Sequence, residues 1–362
     1  MSLTLERPGL AGNGVEDLRE RRLRERRSSR SDQVLEIGLV NNMPDSAVAA
    51  TERQFIRLLQ EASGEYDVRL RLYALDSTVR HPDMRAQMAA TYHRARDLGG
   101  VRLDALIVTG AEPRAPSLVD EAYWRELVEV FDLARKHTES TIFSCLAAHA
   151  AVLHWDAISR KPLPRKLSGV FAGRAIYDHP LVEGFPGEIL SPHSRLNSVD
   201  EADLDRKGYA TLVRSDETGA DIFVKDEGSL LVFLQGHLEY DADSLAREFR
   251  RDVLRYLGGD RPTPPEPPEH YFADSVMAEI GTLIGRARHD HRSQSADCFP
   301  LAALTSAIKA SWRGNCQRLY SNWLKLVADR KRGILPLGLA AMNTRGRRVA
   351  NVATLTPANA LA

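Results

Sequence analysis

The sequence predicts an α/β fold: a mostly parallel sheet flanked by helices. Three observations carry this. Apolar runs of strand length recur at residues 34–40 (VLEIGLV), 103–109 (LDALIVT) and 141–144 (TIFS). They are nearly continuous rather than alternating, as strands covered on both faces read. Segments with helical spacing lie between them, and alternation of strand with helix favours parallel neighbours joined by crossovers.

Taken in order, residues 1–32 read as an appendage. Its stretch 18–30 (LRERRLRERRSSR) is dense in Arg and Glu, with almost nothing to bury, so a solvated helix or a disordered arm is expected. Residues 34–40 form a buried strand and 41–45 a loop. Residues 51–60 form a helix with Phe55, Leu58 and Leu59 on its apolar face. Residues 68–75 alternate apolar with polar and read as a strand; 103–109 form another, closed by Gly110. An amphipathic helix follows at 123–135. The strand at 141–144 then breaks at Cys145 into small helix-forming residues, 147–153. The second half offers strands at 187–190, 210–213, 221–224 and 230–234, then a long helix at 243–257. The proline-rich connector 260–270 (DRPTPPEPPEH) cannot be a regular helix. Helices are expected at 274–288 and 301–328, and a loose tail after Gly333. The division is therefore an arm (1–32), a catalytic α/β domain (33–258), a connector with C-terminal helices packing on that core (259–330), and a tail (331–362).

Composition narrows the function. The chain has 362 residues with 49 Lys+Arg against 49 Asp+Glu, so its formal net charge is zero, which argues against a generally basic nucleic-acid binder. Three cysteines (Cys145, Cys298, Cys316) are too few for a disulfide framework, and no C-x-x-C pair suggests zinc. A charged N-terminus without an apolar core segment, and no run of membrane-spanning length, point to the cytoplasm.

Cys145 is the sharpest chemical signal. A cysteine on a strand-to-helix turn is held exposed at the carboxyl end of a sheet, where sites collect. The N–H groups of the following helix, beginning at Leu146, can stabilise an oxyanion beside it. Far downstream, His237 follows the strand 230–234, and Glu239 lies two residues on. In an extended chain those two side chains share a face, so Glu239 can orient the imidazole. Cys, His and Glu are the parts of a thiol nucleophile triad. Taken singly, each has a plainer reading as a packed or structural residue.

The chain resembles the homoserine O-succinyltransferase family, a branch of the class I glutamine-amidotransferase-like fold with flavodoxin-like layering. The resemblance rests on ordered blocks: residues 37–44, 51–55 (TERQF), 105–111 (ALIVTGA), Tyr123-Trp124, Cys145, 166–171 (KLSGVF), Pro192-His193-Ser194-Arg195, 236–241 (GHLEYD), Ser311-Trp312-Arg313 and Asn322-Trp323-Leu324. It covers residues 34–328, apart from an insertion near 274–305.

The resemblance implies that Cys145 takes an acyl group from acyl-CoA, the co-substrate, as a thioester. His237 would be the general base, and Glu239 would hold its tautomer. Substrate-binding positions of the family fall on Lys166, Ser194 and Arg251, with Glu248 facing the ammonium group and Arg195 steadying the substrate from a turn at 192–195. No bound cofactor, metal, nucleic acid or membrane is implied, and a homodimer is left open.

Departures cluster near the substrate pockets. Arg114 stands where the family chooses its acyl group; it could leave room only for acetyl, pair with the free carboxylate of succinyl, or point to solvent. Leu146 replaces a usual Trp. His149 replaces a common Gln, either as a further polar group in the site or as a packed residue. The loop 43–50 lacks the family's basic residues. Besides acyl transfer to homoserine, three readings stay open: transfer to serine or another hydroxy amino acid, a glutamine amidotransferase-like hydrolase, and a binding protein that kept the fold.

Overall fold

Continuous apolar strands form the centre of the molecule, as their composition requires. The computed structural model describes residues 3–8, 33–289, 308 and 310–334, with the backbone alone at 283–289. Its strands are β1 (Leu3–Glu6), β2 (Val34–Val40), β3 (Asp67–Ala74), β4 (His93–Arg94), β5 (Ala105–Val108), β6 (Ser140–Ser144), β7 (Lys161–Ala175), β8 (Ile189–Ser198), β9 (Ala210–Ser215), β10 (Gly219–Asp226) and β11 (Leu230–Leu234). The helices are α1 (Asp45–Ala62), α2 (Pro82–Ala89), α3 (Trp124–His137), α4 (Leu146–Asp156), α5 (Glu201–Arg206), α6 (Ser244–Leu257), α7 (Asp274–His289) and α8 (Arg313–Lys331).

The strands hydrogen-bond in the order β1-β3-β2-β5-β6-β11-β10-β9-β7-β8, with β4 beside β3. Every pairing from β1 to β11 is parallel. Beyond β11 the sheet turns antiparallel through β10, β9, β7 and β8. This is the α/β, mostly parallel architecture expected.

Alternation along each strand builds two apolar layers. Ile142 of β6 and Val232 of β11 face the layer that holds Phe55 of α1 and Trp323 of α8. Their neighbours Phe143 and Phe233 face the other layer, with Phe131 of α3 and Ala148 of α4. Phe143, Phe233 and Phe223 stack across three strands at 5.1 and 4.9 Å between centroids. Helix α8 is tied to the sheet by polar contacts as well: Trp323 Nε1 donates to Ser140 Oγ at 2.9 Å, and buried Arg330 pairs with Asp226 at 3.0 Å. No helix among the described residues is long and apolar enough to cross a membrane.

The structure departs from the sequence reading in several places, among them α2, α5 and β4, which that reading lacked. Residues 3–6 of the arm are a strand, adding to the edge of β3 with Leu3 opposite Val68; residues 9–32 lie outside the described residues. Helix α1 starts at Asp45, so most of the stretch read as a loop at 43–50 is helical. Residues 161–175 form the long strand β7, which the sequence reading lacked. Residues 192–195 are strand, not turn, because β8 is the last strand of the sheet and an edge tolerates Pro192. Helix α8 begins only at Arg313. Residues 290–307, which cover part of the helix expected at 301–328 and of the insertion, and the tail after Ile334 lie outside the described residues.

Candidate active site

The parallel half of the sheet delivers three chain segments to one place, the carboxyl ends of β5, β6 and β11. Cys145 bridges β6 and α4 with φ 51° and ψ −109°. A non-glycine residue rarely adopts that conformation, and at a turn like this it holds the side chain clear of both elements. Its N–H donates to Leu234 O at 2.8 Å, and its carbonyl accepts from Ala148 N at 3.0 Å and His149 N at 3.3 Å, so the turn is fixed to β11 and to α4. A Cβ on Gly110 would stand 2.9 Å from Leu146 N. The loop after β5 therefore crosses the start of α4 at a distance only glycine allows. Leu146 is the first helical residue, and its N–H has no intrahelical acceptor.

His237 follows β11 across Gly236, where a Cβ would lie 2.9 Å from Pro192 O. Its N–H donates to that carbonyl at 2.7 Å, which locks the segment to β8. His237 Nδ1 lies 2.8 Å from Glu239 Oε1. The carboxylate can only accept, so Nδ1 carries the proton and Nε2 is left for the Cys145 thiol, with which the ring interacts. The pairing expected from sequence is present for a different reason, because residues 238–239 are a turn rather than an extended chain. Tyr240 stacks on the imidazole at 4.3 Å between centroids. Burial pushes the His237 pKa down, but the Cys145 sulfur and the Glu239 carboxylate outweigh it and hold the ring well above the ordinary histidine value.

Helix α6 supplies a charged wall to the same cavity of about 600 Å³. Glu248 accepts hydrogen bonds from Ser194 Oγ and from Tyr240 Oη, and Lys166 Nζ lies 3.5 Å from it. Lys166 Nζ also donates to Asp252 Oδ2 at 3.0 Å, and Arg251 grips Asp252 Oδ1 through Nε and an Nη at 3.2 and 3.1 Å. Burial alone would raise both carboxyls; Lys166 most of all keeps Glu248 and Asp252 below their usual values.

Cys145, Leu146, Lys166, Ser194, Arg195, His237, Glu248 and Arg251 all line this cavity, and Glu239 sits behind His237. Arg195 is engaged internally: Nε donates to His193 Nδ1 at 3.2 Å, and its two terminal nitrogens donate to Asn197 O and Thr218 O at 2.8 and 2.7 Å. Arg114 is exposed and stands outside the lining, which instead includes its neighbours Glu112 and Pro113. His149 lies in the lining, buried, with Nε2 2.9 Å from Gln235 Oε1. Sequence reasoning gave no role to Asp252, Tyr240 or Arg160. Asp252 follows Arg251 directly and Tyr240 lies inside the block 236–241 (GHLEYD), where only their neighbours stood out. Arg160 had no motif signal.

A family model described as homoserine O-succinyltransferase matches residues 15–332. A homoserine O-succinyltransferase from Methylorubrum extorquens is 47% identical over 297 residues, 82% of this chain and 88% of that relative. One from Rhodopseudomonas palustris is 45% identical over 301 residues, 83% and 90% of the two chains. Among solved structures, a glutamine amidotransferase from Thermotoga maritima aligns with a TM-score of 0.46 at 11% identity, covering 81% of this chain and 98% of that one.

Proposed function

This chain belongs to the homoserine O-succinyltransferase family, and we propose that it moves a succinyl group from an acyl-CoA donor through a Cys145 thioester to the hydroxyl of homoserine, a step of methionine biosynthesis. The single observation that supports this reading most is the Cys145–His237–Glu239 arrangement, with the nucleophile on a strained turn at a helix N-terminus.

In this reading the sulfur attacks the thioester carbonyl of the donor. The tetrahedral oxyanion is stabilised by the Leu146 N–H, and the coenzyme thiolate leaves with a proton from the His237 imidazolium. In the second half-reaction His237 takes the proton of the homoserine hydroxyl, whose oxygen attacks the enzyme thioester. The oxyanion collapses, Cys145 leaves as a thiolate, and the product departs. Glu239 keeps Nδ1 protonated throughout and steadies the positive ring. The acceptor is a zwitterion. Glu248 supplies a carboxylate for its ammonium group, while Arg251 and Lys166 supply cations for its carboxylate. Ser194, bonded to Glu248, holds that carboxylate in place. The small-molecule partners and a cytoplasmic setting belong to the same reading.

Intact-mass spectrometry of the protein incubated with succinyl-CoA tests it. A gain of one succinyl group, absent in Cys145→Ala and discharged by homoserine, is the expected result. A protein that gains no mass from succinyl-CoA or acetyl-CoA would remove the proposal.

A further inference from the structure

The charged groups of the cavity wall differ in whether they are paired. Toward α6 the charges are paired: Lys166 meets Glu248 and Asp252, and Arg251 meets Asp252. Leu146, His149, Arg160, Leu196 and Asn197 also line the cavity. Arg160 lies in the short segment between α4 and β7, and it is half-buried. Among the described residues, no carboxylate oxygen lies within the 4.0 Å of an ion pair with its guanidinium, and no hydrogen bond from it is seen. It shares the cavity with the nucleophile, and Tyr123, Glu121 and Cys145 are the groups whose charge it feels. The acid nearest in this sense, Glu121, is turned to other work: its Oε1 accepts from the backbone N–H groups of Arg114 and Ala115.

Two neighbouring polar groups of the lining do not compete for an anion. Arg195 has all three nitrogens committed within the fold. Burial lowers the His149 pKa to about 4, so it is neutral near pH 7. Arg160 is thus a partly desolvated cation facing the reaction cavity without a counter-ion. Such a group is costly until an anion meets it, and its fork suits a carboxylate.

We propose that Arg160 binds the free carboxylate of a dicarboxylic acyl group carried on Cys145, and so selects succinyl over a neutral acyl chain of equal length. The inference rests on the acyltransferase reading and adds a subsite to it. The thioester carbonyl stays at Cys145 and the Leu146 N–H. The two methylenes of the chain run along Leu146 and Leu196, and the far carboxylate meets Arg160. The amino-acid acceptor keeps the α6 side. Selection of the acyl group then falls to Arg160 rather than to exposed Arg114.

The test is the rate of mass gain at Cys145 in the wild type, Arg160→Gln and Arg160→Lys, offered succinyl-CoA, butyryl-CoA or acetyl-CoA. The wild type is expected to load succinyl at least about tenfold faster than butyryl. Arg160→Gln is expected to lose about 10- to 100-fold in succinyl loading and to keep butyryl loading within about threefold, since a half-buried cation that discriminates a charged group from an apolar one is worth that much. Arg160→Lys keeps the charge but not the fork and falls between. An unchanged succinyl-to-butyryl ratio in Arg160→Gln overturns the assignment, as does a wild type that prefers butyryl or acetyl; both leave the acyltransferase reading standing. A wild type that loads no donor removes that reading and the assignment with it. Should Arg160→Gln load neither donor, Arg160→Lys decides: butyryl loading with a retained succinyl preference supports the subsite, and butyryl loading with that preference lost overturns it.

Discussion

Two buried histidines each face a carboxylate in this protein, and they end in opposite states. His237, at the end of β11, has Nδ1 2.8 Å from Glu239. His193, in the middle of β8, has Nε2 3.2 Å from Asp221 of β10. Burial pushes both rings toward neutrality. His237 is nevertheless held well above the ordinary value, while His193 stays below it. The second neighbour makes the difference. His237 meets the Cys145 sulfur on its other side, which favours a positive ring. His193 accepts the Nε–H of Arg195 at Nδ1, a bond that only a neutral ring can take, and the guanidinium charge opposes a second cation. A carboxylate beside a histidine therefore does not by itself make a base. One pair is poised to move a proton; the other is a strut beneath it, joined through the Pro192 carbonyl that holds the His237 N–H.

Removing the sulfur should separate the pairs most strongly. Cys145→Ala is expected to cost at least about 10⁴-fold in turnover, the scale on which nucleophile removal acts in comparable triads. It should also lower the His237 pKa while leaving His193 alone, which an NMR titration of the imidazole protons would read. A His237 titration that does not move would break the contrast. Next in size, Asp221→Asn should destabilise the fold by about 3 kcal/mol, because it strips the partner from a buried charged cluster that includes Arg195. Urea unfolding measures this, and the folded fraction should still load Cys145 within about tenfold of the wild-type rate. A normal midpoint with lost loading would make Asp221 part of the chemistry instead.

The pH dependence sharpens the same point. His149 and His179 are both buried and lowered to about 4. In the unfolded chain they titrate near 6.5, so the stability they contribute is fully present above that value and is lost as pH falls from about 6.5 toward 4, on the order of 3 kcal/mol for each. His237 has the opposite sign: its contribution is complete below about 6.5 and is lost as pH rises through its raised folded value. Urea midpoints across pH should thus decline on both sides in the wild type, and Cys145→Ala should flatten the alkaline side alone. An acid side that is flat in the wild type would contradict the neutral state of His149 and His179. The smallest effect is expected at Arg114→Gly. The side chain is exposed and outside the cavity, so the ratio of succinyl to acetyl loading should stay within about twofold; a larger change would return acyl selection to that loop.

Legibility from sequence followed burial. Strands β2, β5, β6 and β11 are covered on both faces and spell out as apolar runs, and the turn after β6 pointed to Cys145. Strands β7 and β8 lie at the far antiparallel edge and carry Pro162, Pro164 and Pro192; β7 exposes Lys161, Arg165 and Arg174, and β8 mixes polar with apolar residues without a clean alternation. They therefore resemble loops to any pattern of hydrophobicity, although they carry Lys166, Ser194 and Arg195. The Glu239 partner was found through strand alternation, while the chain reaches it by a turn. Arg160 was invisible because a cation without a partner leaves no mark on periodicity or spacing; its meaning comes only from what surrounds it in three dimensions.

The backbone of Cys145 has a consequence for anyone selecting sturdier variants of this protein. With φ at 51°, an L side chain there costs about 1–3 kcal/mol that glycine does not incur. A selection by heat alone would accordingly favour Cys145→Gly, and would return robust proteins that have stopped working.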